Sequence, residues 1–162
     1  MGGDSAIVVA TENHRKGLEQ RLRSRGLHPA TALEQGRYIP LDAERVLSQF
    51  LVGDYPDAEA FTKVIGDVLT RAQVAAGSNG RVFAFGEMVA ILWAAGKGEA
   101  AIRLEQLWNS LSEKYDFSLR APIRLRISSS RNTASLFCGS ASHTPMCFQP
   151  IAIPTWSRIT NA

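Results

Sequence analysis

Residues 81–119, RVFAFGEMVAILWAAGKGEAAIRLEQLWNSLSEKYDFSL, decide the fold class, because they read in order as strand, turn, helix, helix, strand. Val82–Phe85 is a short apolar run and predicts a strand. Helices are expected over Glu87–Ala95 and Glu99–Lys114, separated by Gly96-Lys97-Gly98. The second places Leu104, Leu107, Trp108 and Leu111 at i, i+3, i+4 and i+7, the stripe that a helix buries. Phe117–Leu119 opens a further strand.

The same alternation extends towards the start of the chain. Ala6–Ala10 (AIVVA) is continuously apolar and β-branched, which suits a strand covered on both faces of a parallel sheet. A helix is expected over Glu12–Arg25 with Thr11 as N-cap, Leu18 and Leu22 inward and His14 extending that stripe; Gly26 ends it. Ala30–Gln35 forms a short helix stopped at Gly36. Arg37–Leu41 is the second strand, with Pro40 acceptable only at its end. Asp42 caps a helix over Ala43–Leu51, with Val46, Leu47 and Phe50 inward. Gly53–Pro56 is a turn, and Asp57–Ala76 is a long helix burying Phe61, Ile65, Val68, Leu69 and Ala72. Gly77–Gly80 is a loop. Strands alternating with helices predict an α/β fold, a mostly parallel sheet with flanking helices.

Charge divides the chain. All 15 acidic residues lie at or before Asp116, and the last 46 residues carry five arginines, no lysine and no acid. Without lysine, glycine or aromatic interleaving, this basic tail is a poor nucleic-acid binder, so nucleic acid is not an expected partner. Cys138 and Cys147 lack the Cys-x-x-Cys or His-x-x-x-His spacing of a zinc site. No apolar run approaches the roughly 18 residues of a membrane span. The start MGGDSAIVVA has no basic n-region, and Ala6 stands where myristoylation wants Ser or Thr. A cytoplasmic location and no membrane contact are expected.

The segments AIVVATENHRKGLEQRLRSRGL, GRYIPLDAERVLSQFLVGDYPDAEAF and RVFAFGEMVAILWAAGKGEAAIRLEQLWNSL resemble, in unbroken order, the MEDS family, the methanogen/methylotroph DcmR-type sensory domain. The FGEMVAILW…LEQLWN block is the most specific part. The resemblance implies a sensory module joined to an effector domain or acting on a regulatory protein partner. It also implies a RecA/KaiC-like fold without a working phosphate loop. Family members usually begin with a further strand–helix unit, whose absence here implies an incomplete domain over residues 5–119.

Residues 120–162 depart from the family pattern, which continues FSLLCAYP and later shows an HSHVLPAE-like string. The codons CTG CTG TGC GCC TAT CCG ATT GCG GAT encode LLCAYPIAD. Deleting one T gives CTG CGT GCG CCT ATC CGA TTG CGG AT, which encodes LRAPIRLR and opens an isoleucine codon, matching Leu119–Ile127. Shifted alike, His143–Ile153 reads back as HTHVLPADSY. The expectation is a single-base frameshift near the Leu119 and Arg120 codons, with a mostly disordered tail. The alternative is an authentic basic disordered tail.

In open α/β sheets, ligands bind beyond the carboxyl ends of the strands. That rule selects Thr11 and His14 after the first strand, Asp42 after the second and Glu87 after the third. Each has a structural alternative. Thr11 and Asp42 are also N-caps, Glu87 also complements a helix dipole, and His14 is also an ordinary half-exposed histidine. Asp42 as a Mg²⁺ ligand would need a phosphate loop, and no GxxxxGK(S/T), Gly-x-Ser-x-Gly or HExxH string occurs. Trp93 and Trp108 are expected in the core. The sequence therefore reads as a non-enzymatic, signal-sensing domain with no catalytic residues, metal or cofactor. It would bind a small organic ligand or a partner near Thr11, His14, Asp42 and Glu87. The alternatives are a RecA/KaiC-like nucleotide-binding domain and a non-functional gene remnant.

Overall fold

The computed structural model describes residues 3–120. The AIVVA run lies within β1 (Ser5–Ala10), in which every residue is buried. It is followed by α1 (Glu12–Ser24), α2 (Pro29–Glu34), β2 (Tyr38–Asp42) and α3 (Ala43–Leu47). A small hairpin of β3 (Leu51–Val52) and β4 (Tyr55–Pro56) leads into α4 (Ala58–Ala76). The chain then forms β5 (Val82–Gly86), α5 (Met88–Ala94), α6 (Gly98–Ser112) and β6 (Ser118–Arg120).

The four longer-range strands form one parallel sheet in the order β2-β1-β5-β6, flanked by helices, so the fold is α/β as the alternation predicts. Side-chain alternation along β1 divides the core into two layers. Ile7 and Val9 join Val82 and Ala84 beneath residues of α3, α4, α5 and α6. Ala6, Val8 and Ala10 join Tyr38 on the other face, against Ala32 of α2 and Leu18 of α1. Arg120 closes β6 opposite Phe85. Arg120, expected as the first residue of the tail, thus belongs to the sheet, while the rest of that tail, residues 121–162 with both cysteines, lies outside the described residues.

Pro40 sits inside β2, paired with Val8, rather than at the strand end. The amide of Ala6 donates to the carbonyl of Arg37 at 2.7 Å. In a parallel pair the alternation then turns Arg37, Ile39 and Leu41 towards β1 and Pro40 away from it. Among the described residues β2 is an edge strand, so the missing N–H falls on its outer side, where no ladder bond to β1 needs it.

The third helix and Trp93 also depart from expectation. The third helix stops at Leu47, not Leu51. The chain tightens into i−3 turns, Gln49 N–H to Val46 O and Phe50 N–H to Leu47 O, before reversing through Gly53 at φ 61°. The bond from Asp57 N–H to Phe50 O at 2.8 Å closes this reversal. Val46, Leu47 and Phe50 nevertheless point inward as expected, because a tight turn keeps them on the same side. Trp93 is 39% exposed rather than core. Its ring lies over Gly98, which has no side chain to hold it off, so it rests on the surface of the α5–α6 corner.

Candidate functional site

The strand order decides what meets at the carboxyl edge. From β1 the chain crosses to β2 on one side, and later returns to β5 on the other. The crevice between β1 and β5 is thus the point where the order reverses, the usual ligand position of doubly wound sheets. The residue after β1 is Thr11 and the residue after β5 is Glu87. The amide of Glu87 donates to the Val9 carbonyl at 2.9 Å, which fixes its backbone against β1.

Glu87 is buried, with its side chain only 10% exposed. One carboxylate oxygen, Oε2, accepts the Thr11 amide at 3.1 Å and the Thr11 hydroxyl at 3.4 Å. The other, Oε1, lies 2.6 Å from His14 Nδ1. Glu87 occupies the N-cap position of the seven-residue α5 with helical backbone angles, and its carboxylate makes no cap bond to that helix. Thr11 likewise stands at the N-cap of α1 but makes no side-chain cap bond, because its hydroxyl turns to Glu87. His14 does not extend the inner stripe of α1. It is half exposed and reaches across the crevice mouth.

Asp42 lies at the end of the neighbouring strand and does cap its helix, accepting the Arg45 amide at 3.0 Å. Its second oxygen holds Arg15 Nη2 at 2.9 Å. The Arg45 N–H, together with the Arg15 guanidinium, holds the Asp42 carboxyl below its ordinary value despite the opposing cost of its partial burial. Asp42→Ala is expected to cost about 1 kcal/mol, the usual worth of such a cap. Because the folded carboxyl is depressed, its contribution is complete at neutral pH and fades as acidity rises through the carboxylate range. Urea denaturation of both proteins at neutral pH and at low pH checks this: the gap between them should narrow in acid.

The four residues selected from the sequence therefore lie along one edge. Thr11, His14 and Glu87 form one hydrogen-bonded cluster, and Asp42 is joined to the same helix through Arg15. Arg15 was missed. The available signal was its place one turn after Thr11, on the side of α1 that also bears Leu18 and Leu22. Its Nε is buried without a hydrogen-bond partner. Among the described residues no group of three His, Cys, Asp or Glu side chains could hold a metal, and no helix is long and apolar enough to cross a membrane. Comparison of the chain with family models, with curated proteins and with solved structures gives no match.

Proposed function

We propose that this chain is a non-enzymatic, signal-sensing regulatory domain of the MEDS type. It binds a small organic molecule, or docks an effector partner, at the β1–β5 carboxyl edge in a cytoplasmic setting. The observation that carries the reading is the Thr11–Glu87–His14 cluster. It joins a buried carboxylate to a half-exposed imidazole at the point where the sheet order reverses. A carboxylate that costs free energy to bury is kept where a purely structural crevice would be apolar.

The nucleotide-binding alternative fits this edge less well. In phosphate-binding α/β folds the first helix offers its N-terminus to an anion. Here the amide at that N-terminus already serves Glu87, and a phosphate would meet a carboxylate instead of free donors. Thermal unfolding with Mg²⁺-ATP and with a panel of small organic compounds tests the reading. A ligand at a hundredfold excess over its Kd stabilises by about 2.7 kcal/mol. The expected result is no shift with Mg²⁺-ATP and a shift with at least one organic compound that Glu87→Ala abolishes. A Mg²⁺-dependent rise with ATP would replace this reading with the nucleotide-binding one.

A further inference from the structure

Three carboxylates stand around the first turn of α1 and the strand ends beside it, and they are neutralised differently. Glu12 is held by Lys16 at 2.7 Å and Asp42 by Arg15 at 2.9 Å, both permanent cations. Glu87 is the most enclosed of the three, with its side chain 10% exposed against 65% for Glu12 and 34% for Asp42. Its partner is the His14 imidazole, 2.6 Å from Oε1, rather than a lysine or an arginine. The most enclosed of the three carboxylates is thus the one that no permanent cation holds.

The two oxygens of Glu87 are also unequal. Oε2 is committed to backbone and hydroxyl of Thr11, which cannot leave without moving the start of α1. Oε1 faces the His14 side chain, which is 53% exposed in the first turn of α1. A metal ion would want further ligands, and the described residues offer no such group. An anion would be repelled by Glu87 itself.

We infer that the crevice takes an organic cation with N–H donors, a primary ammonium or an amidinium, which displaces His14 from Glu87 Oε1 and leaves the Thr11 bonds in place. This rests on the ligand-binding reading of the same edge. The ligand supplies Glu87 with a charge-assisted hydrogen bond from a permanent cation.

The test is NMR titration of the full chain at neutral pH, following the Thr11 amide and the His14 imidazole. The probes are benzamidine, its neutral isostere benzamide, benzoate and inorganic phosphate. Benzamidine should shift both signals saturably while the other three do not. Glu87→Gln, which keeps an acceptor for Thr11, should lose the response. His14→Ala should tighten benzamidine about fivefold, equivalent to releasing one weak competing hydrogen bond. A benzamidine response that survives Glu87→Gln overturns the inference. Saturable shifts with benzoate, phosphate or benzamide, and none with benzamidine, overturn the cationic class while leaving the edge as a ligand site. Silence from all four probes at both signals overturns the inference and counts against the ligand reading itself.

Discussion

Replacing Trp108 with alanine should cost about 3–5 kcal/mol, the range for removing a large buried aromatic side chain. Domains of this size are typically stable by only about 5–15 kcal/mol, so the variant should be close to unfolded at moderate urea. The reason lies in how many elements meet at this ring. Trp108 is 3% exposed on α6 and packs edge-on against Phe61 of α4, with centroids 5.3 Å apart. Phe61 packs edge-on against Phe50 in the turn after α3 at 5.2 Å. Phe117, at the entrance to β6, lies 6.0 Å away on the other side. Such geometries add to the burial of the rings themselves. Chemical denaturation followed by circular dichroism gives the value, and a cost below about 1 kcal/mol would contradict the packing described here. Trp93→Ala is the internal control. That ring is 39% exposed and rests over Gly98, so its loss should cost clearly less, about 1–2 kcal/mol. Trp108 also fills the space a side chain at Gly86 would occupy, 3.7 Å from where its Cβ would stand, beside Glu87. The Trp108 variant should therefore disturb the Thr11 amide signal, whereas the Trp93 variant should not.

Gly80→Ala is the second large effect, expected at about 3 kcal/mol, the upper end of overpacking costs. A Cβ at this position would overlap the Ala76 carbonyl oxygen, lie 2.8 Å from the Ala76 carbonyl carbon and 2.5 Å from the Gly3 carbonyl oxygen. All three are backbone atoms. Neither wall can retreat easily. Ala76 is buried in the last turn of α4, and the lead-in to β1 is pinned where Asp4 accepts the Arg81 amide at 3.0 Å and pairs with the Arg81 guanidinium at 2.9 Å. Gly98→Ala makes the contrast. Its new Cβ would also come close, 2.9 Å, but to the outer edge of the Trp93 ring, which is partly exposed and free to swing. Alanine at the start of α6 also removes the entropic cost of glycine in a helix. The Gly98 variant should be neutral within about 0.5 kcal/mol. Equal costs for the two glycines would show that backbone and side-chain obstacles are not distinguished here as argued.

The sheet strands and most helices were legible because their patterns are strong. AIVVA is too uniformly apolar for a half-covered strand, and the Leu104–Leu111 spacing belongs to a helix. The site residues were legible for a simpler reason: the rule of carboxyl ends names whichever polar residues follow each strand. What linear spacing cannot carry is which strand ends are neighbours. Thr11 and Glu87 meet only because β1 and β5 pair, and that pairing is a property of the whole sheet. Once they meet, the Thr11 hydroxyl turns away from the helix it was expected to cap, since the buried carboxylate gains from both an amide and a hydroxyl. The small hairpin was missed because Leu51–Val52 is too short to show a period of two. Trp93 was misplaced because a helical stripe reveals which residues share a face, not whether a glycine opposite leaves that face open.

Pro40 has a consequence for how molecules of this protein behave when crowded. Exposed sheet margins are templates on which another chain can add a strand, the first step towards fibrils and swapped assemblies. A newcomer alongside β2 would need a hydrogen-bond donor at position 40, and proline has none to give. The β2 margin is thereby made a poorer template for runaway polymerisation by a single residue, at no cost to the pairing with β1 that the domain itself requires.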